Sequence, residues 1–244
     1  MQRPRLRDNR GKGPFELYPL GQIPDEIIYE IGKWMTYNFA VGKADISGED
    51  WGDIFAKAIG GDHLGKPIGL ADVVCEGMAW SVKSVKQTSP HRVKKIRLIS
   101  GRNSPDFSYD VTDPHEDIQH TGTMVLSIWN ERINIAKETF EPLRTSVLVR
   151  NFNTLEFALF EHETTRYVTS DYEWHVNKTG NFEGHHIDTG VHQFTWQPHG
   201  SQFTILSTVP PNACKFKIKR PPILDFEDTM AKIGFDSSWV TILN

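Results

Sequence analysis

The stretch Leu70-Ala-Asp-Val-Val-Cys-Glu-Gly-Met-Ala-Trp-Ser-Val-Lys-Ser-Val-Lys86 decides how the chain folds. Two apolar runs flank the dipeptide Glu76-Gly77, and a glycine at the second central position favours a tight two-residue turn with positive φ. Folding the chain at this turn predicts a β-hairpin in which Cys75 lies opposite Met78. The turn therefore fixes the register of every residue pair on the two strands.

That register places three polar side chains together. Counting outward from the turn, Val73 pairs with Trp80 and Asp72 pairs with Ser81. Side chains alternate between the two faces of a sheet, and paired residues share a face. Asp72, Ser81 and Lys83 therefore emerge on one face, while Val73 and Trp80 point to the other. The sequence predicts a carboxylate, a hydroxyl and an ammonium group on one small patch.

Such a patch suits metal-assisted phosphate chemistry. A carboxylate such as that of Asp72 can hold Mg²⁺, which keeps several waters and accepts phosphate oxygens as further ligands. An ammonium group such as that of Lys83 can orient a water molecule and offset the charge that builds on phosphorus. The same residues also fit an ordinary solvent-exposed strand face, because short motifs have a high false-positive rate.

The order Asp, hairpin, then x-x-Lys resembles the active-site signature of the PD-(D/E)xK nucleases, particularly the type II restriction endonucleases. The matched residues are Asp72 and Lys83, in Leu-Ala-Asp-Val-Val and Trp-Ser-Val-Lys-Ser-Val. Ala71 stands where the family often has proline, and Ser81 stands where it usually has Glu or Asp. Some members carry Ser-Val-Lys and bring a carboxylate from elsewhere.

The resemblance implies a Mg²⁺-dependent endonuclease that cleaves double-stranded DNA at specific sites and leaves 5′-phosphate and 3′-hydroxyl ends. Asp72 would ligate Mg²⁺, Lys83 would serve the attacking water, and Ser81 would support metal-bound water. The working unit would be a homodimer acting on a symmetric site.

The resemblance also implies a second metal-binding carboxylate, because Ser81 cannot bind Mg²⁺ as a carboxylate does. The family often brings this acid from the helix before the hairpin. That helix offers Glu49 and Asp50 here, and Glu30 on the first helix is the reserve candidate. We therefore expect Glu49, Asp50 or Glu30 to complete the metal site.

Positive charge is concentrated after the hairpin. The whole chain has a net charge of −4 and a pI of about 6.2, which does not by itself indicate a nucleic-acid-binding protein. The segment 77–105, however, has no acidic residue. It suits a surface that follows phosphates, although Lys94 and Lys95 also fit a solvated strand face. The candidate DNA contacts in and around it are Lys86, Arg92, Lys94, Lys95, Arg97, Arg102 and Asn103.

Two polar groups of residues in the C-terminal part have alternative interpretations. Gln197 and His199 flank a Pro-His-Gly turn signal and could contact base edges, or could belong to an ordinary polar hairpin tip. His185, His186 and His192 are close in sequence, but adjacent histidines on a strand point to opposite faces and no Cys or His partner stands at zinc spacing. We interpret these three histidines as solvated or structural.

Apolar spacing and turn signals indicate an α/β (α+β) fold, with a restriction-endonuclease-like mixed sheet flanked by helices and a β-rich C-terminal part. The order helix, hairpin, strand, helix, strand matches the helix-β-β-β-helix-β core of the nuclease family. The predicted helices begin at Pro24, at Ser47 and at Thr123, and the predicted strands outside the hairpin cover 93–100, 145–150 and 155–160.

We expect residues 1–22 to form an N-terminal arm and residues 23–244 to form a single nuclease domain. Within that domain the catalytic core would span about 47–150 and the β-rich part 151–244. A short closing helix is expected over 225–233.

Several functional classes are disfavoured. The chain has no run of eighteen apolar residues, so we expect no membrane span. With only Cys75 and Cys214, a disulfide framework is not expected, and a reducing cytoplasm is the default location. No Gly-rich loop with Gly-Lys-Ser/Thr is present, so a nucleotide cofactor is not expected.

Two other functions remain open at this stage. The chain could be a structure- or mismatch-specific DNA repair nuclease, which would use the same residues on damaged DNA. It could instead be a non-catalytic β-rich binding module with a degenerate site.

Overall fold

The chain forms five α-helices and eleven strands over residues 16–243, the part that this computed structural model describes. The helices are α1 (Asp25–Ala40), α2 (Gly48–Ile59), α3 (Pro105–Tyr109), α4 (Ile118–Lys137) and α5 (Phe226–Lys232). The strands are β1 (Asp62–Ile68), β2 (Ala71–Cys75), β3 (Met78–Lys86), β4 (Lys95–Arg102), β5 (Leu143–Asn151), β6 (Glu156–Glu163), β7 (Tyr172–Val176), β8 (Phe182–His186), β9 (His192–Gln197), β10 (Gln202–Thr208) and β11 (Cys214–Lys217).

These strands form two sheets. Sheet A has the strand order β1-β2-β3-β5-β6-β11, and sheet B has the order β4-β10-β9-β8-β7. Neighbouring strands are antiparallel except β3 and β5, which run parallel and are joined by a long crossover that contains α4. The predicted α+β class with a β-rich C-terminal part is confirmed. Its restriction-endonuclease-like character stays a prediction.

The hairpin of β2 and β3 has the register that the sequence predicts. Val73 pairs with Trp80, and the turn residues Glu76 and Gly77 both have positive φ, at 48° and 87°. Two positive φ angles match the twist of a tight hairpin turn, and the glycine adopts this conformation without steric cost. The turn therefore sets which side chains of β2 and β3 share a face.

A capping box at its start and a glycine at its end fix the boundaries of the helix α2. The Ser47 hydroxyl accepts a hydrogen bond from the Asp50 backbone N–H at 3.0 Å, and the Asp50 carboxylate accepts one from the Ser47 N–H at 2.9 Å. This reciprocal capping box satisfies two backbone donors at the helix start. Gly60 ends the helix in the left-handed conformation, with φ of 70°. The predicted helix boundaries are confirmed.

The third strand of the antiparallel unit is not the one that we predicted. The segment predicted over 93–100 forms β4, which pairs with β10 in sheet B. The third strand of sheet A is β1, which precedes the hairpin and pairs with β2. Its sequence, Asp-His-Leu-Gly-Lys-Pro-Ile, contains Gly and Pro and is mostly exposed, so it lacks the alternation that signals a strand. The observed order in sheet A is α2, β1, β2, β3, α4, β5.

Sheet A separates two apolar layers. The helices α1 and α2 cover the face that carries Val73 and Trp80, and the Phe55 ring of α2 lies 5.8 Å from the Trp80 ring. The opposite face packs against α4 and sheet B, where Ala79 shares a buried cluster with Trp129. Because residues alternate along β2 and β3, the Asp72 face of the hairpin looks towards α4 and sheet B.

A buried polar network ties residues before α1 to sheet A. The Tyr18 hydroxyl donates to Glu161 Oε1 at 2.7 Å, and the Trp80 indole donates to the same oxygen at 2.9 Å. The Arg144 guanidinium donates to Glu161 Oε2 at 3.4 Å and to the Tyr18 carbonyl at 2.9 Å. Tyr18 is only 4% exposed, so the described end of the predicted arm 1–22 belongs to the core. Residues 1–15 lie outside the described residues.

The predicted closing helix forms as α5, but it does not close the core. None of its side chains is buried, and Asp225 caps it by accepting a hydrogen bond from the Asp228 N–H.

Within residues 16–243, no helix has both the length and the apolar character needed to cross a lipid bilayer.

The buried network generates a stability prediction. Replacing Glu161 with Ala should lower the free energy of unfolding by about 3–5 kcal/mol, because Arg144 would lose its buried carboxylate partner and keep only the half-exposed carboxylate of Glu16. The matched control is Glu163→Ala on the same strand, where an exposed ion pair with Lys137 contributes about 1 kcal/mol or less. Urea denaturation of both variants measures the difference, and equal losses would contradict the prediction.

Candidate active site

One carboxylate oxygen organises the polar patch of the hairpin. Asp72 Oδ2 accepts hydrogen bonds from the Val82 backbone N–H at 3.0 Å, the Ser81 hydroxyl at 3.2 Å and the Lys83 ammonium at 3.3 Å. The structure therefore brings together the three residues that the hairpin register predicts on one face. Lys83 and Asp72 form an ion pair across the two strands.

This patch is partly open to solvent. The Lys83 side chain is 21% exposed and the Asp72 side chain is 18% exposed, whereas Ser81 is 1% exposed. Within residues 16–243, Asp72 Oδ1 accepts no hydrogen bond. One oxygen of the carboxylate is thus held by the protein, and the other is free to bind a ligand.

The helix α4 contributes a cation that the sequence analysis missed. The Arg132 guanidinium donates to the Ser100 carbonyl at 2.8 Å and to Asn103 Oδ1 at 3.4 Å. Burial lowers the pKa of Arg132, and the negative charge of Asp72 partly offsets that effect. Arginine stays protonated in proteins, so the site holds a second permanent cation near the carboxylate. Arg132 falls within the apolar stripe of α4, and a charge in such a stripe is the signal that could have revealed it.

A glycine makes room for that guanidinium. Gly101 has φ of +95°, and a Cβ atom built there would lie 2.6 Å from Arg132 Nη1. Any other residue would be strained at this φ and would displace the guanidinium. The end of β4 is therefore shaped around Arg132.

Lys83 also borders a small cavity between the sheets. It lines this cavity of about 20 Å³ together with Ser81, His162 and Glu163. Burial lowers the pKa of His162, so this imidazole is neutral near pH 7. The Glu163 carboxylate forms an ion pair with Lys137. The strand β6 therefore brings one neutral imidazole and one paired carboxylate to the cavity beside Lys83.

The structure does not bring the predicted second carboxylate to Asp72. Glu49 Oε2 lies 3.8 Å from His63, which pairs with Val73 and so shares the opposite face of the sheet. The Asp50 carboxylate is used by the capping box and by an ion pair with Lys43. These placements correct the expectation that α2 completes a metal site.

The reserve candidate is also remote from the patch. Glu30 forms an exposed ion pair with Lys33, one turn along α1. Within residues 16–243, one group of three His, Cys, Asp or Glu side chains is close enough to share an ion, and it does not include Asp72. None of the three predicted acids therefore joins Asp72 at the patch, whereas Glu163 of β6 lines the small cavity beside Lys83.

The donor set nevertheless fits Mg²⁺. This ion is usually bound by one or two protein carboxylates, keeps several waters and takes substrate phosphate oxygens as further ligands. The free Oδ1 of Asp72 suits that mode in a partly exposed patch. A site of this kind would bind Mg²⁺ weakly when no phosphate is present to supply further ligands.

The predicted basic residues divide between two surfaces. Buried Ile96 and Leu98 alternate along β4 with exposed Lys95 and Arg97, which therefore point away from sheet A and from Asp72. Lys86 forms an ion pair with Asp45 instead. Arg92 and Lys94 are exposed in the approach to β4.

One group of polar residues forms on the outer face of sheet B. Gln202 pairs with Arg102 on one side and with Gln197 on the other, so the three side chains lie next to one another. They share this face with Arg97, because the partner of Arg97 on β10 is four residues from Gln202 and side chains alternate along a strand. His199 lies exposed in the adjoining turn. Of the predicted DNA contacts, Arg102 and Gln197 are thus brought together, on the surface that also carries Arg97.

Asn103 is not available to read bases. It is 0% exposed, and its side-chain amide donates to the Val125 carbonyl at 2.9 Å while its backbone carbonyl accepts from the Trp196 indole at 2.8 Å. Its two hydrogen bonds connect the end of β4 to α4 and to β9. The expectation that Asn103 contacts DNA is wrong, because its side chain faces the core.

Comparisons with protein-family models, with curated proteins and with solved structures found no match.

The buried position of Asn103 generates a second stability prediction. Asn103→Ala should lower the free energy of unfolding by about 1–3 kcal/mol, because the Val125 carbonyl and the Arg132 guanidinium would lose a buried partner. Ser104→Ala is the matched control, since the Ser104 side chain makes no capping hydrogen bond, and it should cost about 0.5 kcal/mol or less. Thermal and urea denaturation test this, and a fully stable Asn103→Ala protein would refute it.

Proposed function

We propose that this protein is a Mg²⁺-dependent endonuclease for double-stranded DNA, similar to type II restriction endonucleases. The observation that carries the proposal is the convergence of Asp72 and Lys83 across the hairpin, in a partly exposed patch beside Arg132. A carboxylate with one free oxygen, next to two cations, matches the needs of phosphodiester hydrolysis.

The side chains have distinct roles in this proposal. Asp72 holds the metal ion, which when bound polarises a phosphoryl oxygen and makes water a better nucleophile. Lys83 orients the attacking water and offsets the charge that develops on phosphorus. Ser81 and the Val82 N–H fix the orientation of the Asp72 carboxylate. Arg132 attracts the phosphate and stabilises its negative charge.

Strand connectivity supports the proposal as an analogy. When β4 and α3, which lie between β3 and α4 and outside sheet A, are set aside, the succession α2, β1, β2, β3, α4, β5 has the helix-β-β-β-helix-β order of the PD-(D/E)xK nucleases, with β3 parallel to β5. Fold order alone does not establish function. The patch on β2 and β3 therefore remains the principal support.

Arg102, Gln197 and Gln202 are the proposed DNA-reading group. Arginine and glutamine side chains can form bidentate hydrogen bonds to base edges in the major groove. They share the outer face of sheet B with Lys95 and Arg97, so base contacts and phosphate contacts would lie on one continuous surface. Lys95 and Arg97, on the outer face of sheet B, are proposed to contact phosphates further along the duplex.

The C-terminal segment supports a homodimer. Monomeric proteins rarely expose large contiguous apolar surfaces, and such surfaces mark interaction sites. Nine large apolar side chains in this segment are between 45% and 89% exposed. They are Ile223, Leu224, Phe226, Ile233, Phe235, Trp239, Val240, Ile242 and Leu243. We propose that this segment, residues 223–243, packs against a second copy of the chain. Two copies would present two patches to a symmetric DNA site.

The proposed location is the cytoplasm. Both Cys75 and Cys214 are free thiols, and burial raises the pKa of each, which reduces their reactivity. Free thiols are the usual state of cysteine in a reducing compartment.

Digestion of a sequenced plasmid tests the proposed activity. Purified protein with Mg²⁺ should give discrete fragments whose mapped ends share one sequence and carry 5′-phosphates. Asp72→Asn and Lys83→Met should each slow cleavage by at least about 100-fold while DNA binding persists. The charge-matched controls are Asp25→Asn and Lys33→Met, at exposed positions of α1, and both should cut normally.

Other outcomes of this digestion would favour the alternatives. Nicking confined to mismatched or damaged duplex would indicate a repair nuclease instead. DNA binding without Mg²⁺-dependent cutting would indicate a non-catalytic binding module. Full activity of Asp72→Asn or Lys83→Met would remove the proposed site.

The dimer proposal has its own test. The paired substitutions Phe226→Glu and Trp239→Glu should convert a dimer into a monomer, because buried charges without partners oppose association. Asp228→Asn on the same helix is the control and should remain dimeric. Light scattering coupled to size exclusion measures the mass. A wild-type mass of one chain at micromolar concentration would end the dimer proposal.

A further inference from the structure

A group of two histidines and one glutamate lies on sheet B, away from the nuclease patch. The side chains of Glu183, His185 and His192 come from the adjacent strands β8 and β9. Each offers one ligand atom, and these atoms all lie within 4.8 Å of one another. His185 pairs with His192, and their rings stack with centroids 4.9 Å apart and planes tilted by 16°.

A local irregularity of the sheet creates this arrangement. The register of β8 and β9 shifts between Gly184 and His185, which brings His185 opposite His192. Register shifts of this kind re-aim side chains and often occur near functional sites. Sequence spacing alone could not reveal the group, because the two histidines belong to different strands.

Each histidine already donates one ring N–H to a backbone carbonyl. His192 Nε2 lies 2.7 Å from the Phe194 carbonyl oxygen, which leaves Nδ1 as the nitrogen with a lone pair. His185 Nδ1 lies 3.4 Å from the Gly190 carbonyl oxygen, which leaves Nε2 with a lone pair. Histidines that bind metals are oriented in the same way, by a carbonyl or carboxylate that accepts the other ring proton.

The glutamate is also oriented. Glu183 Oε1 accepts a hydrogen bond from the Asn177 amide at 2.8 Å, and Oε2 lies 3.7 Å from His185 Nε2. One carboxylate oxygen is thus fixed by the protein, and the other lies beside the histidine pair.

We propose that Glu183, His185 and His192 bind a divalent transition-metal ion of the Zn²⁺ class. Two imidazoles and a carboxylate are a preferred ligand set for Zn²⁺, whereas Mg²⁺ prefers oxygen ligands. Ligands at about 2.0–2.2 Å from one ion must approach more closely than 4.8 Å, so small side-chain rotations complete the site.

The fourth position of the ion faces solvent. Glu183 and His185 are 29% and 26% exposed, and the neighbouring His175 is 60% exposed with its Nε2 3.5 Å from Glu173. An open position that water occupies is typical of reactive zinc sites rather than of closed structural ones. The site is independent of the proposed nuclease patch, since no residue is shared.

Metal titration of the untagged full-length protein tests this inference. After chelator treatment, the wild-type chain should take up one Zn²⁺ in competition with a chromogenic zinc chelator. His192→Gln and Glu183→Gln should each weaken binding by at least about 10-fold, since even loss of an orienting contact costs 10–100-fold. Affinity should fall in acid solution, because protons compete with the metal ion for the ligand atoms.

Three controls test whether Zn²⁺ binding depends on the three proposed ligands alone. His120→Gln, at an exposed histidine of α4, and Asp72→Asn, in the nuclease patch, should both bind Zn²⁺ like the wild type. Thermal denaturation without metal should show that all variants are folded. Absence of stoichiometric Zn²⁺ binding by the wild type, or unchanged affinity in folded His192→Gln and Glu183→Gln, would overturn the proposal.

Discussion

The ion pair between Lys83 and Asp72, at 3.3 Å across the hairpin, depends on a single register. Side chains alternate along each strand, so a slip of one residue would turn Lys83 and Asp72 into the apolar layer under α1 and α2. The same slip would remove Trp80, which is fully buried and hydrogen-bonded to Glu161, from its place against α2. The cost of both changes is large because charges would be buried without partners and a buried hydrogen bond would be lost. Packing on one face of the hairpin therefore holds the polar patch on the other face in place.

The second sheet completes the patch from the opposite side. Arg132 on α4 is oriented by the Ser100 carbonyl at the end of β4, and Gly101 leaves space for its guanidinium. Sheet A supplies the carboxylate and the ammonium, while α4 supplies the second cation and sheet B orients it. A phosphate entering between them would meet positive charge from two independent elements. Local positive charge of this kind is compatible with a net charge of −4 for the whole chain.

Local features could be predicted from the sequence, and distant contacts could not. The hairpin register and the Ser47 cap follow from neighbouring residues, and both are confirmed. The same cap already implied that the carboxylate of Asp50 was occupied, a consequence that the search for a second metal ligand overlooked. The partner strand of β4 and the burial of Asn103 depend on residues far away in the sequence, and the meeting of His185 with His192 depends on a register shift. Sequence periodicity contains no information on such pairings.

Single-turnover cleavage rates of the wild type, Asp72→Asn, Lys83→Met and the double variant measure most directly whether the two residues act as one catalytic unit. Groups that act together in a transition state show strongly non-additive losses. The account predicts that the double variant is about as slow as the slower single variant. Losses that multiply in the double variant, or no Mg²⁺-dependent cleavage by the wild type, would contradict the account.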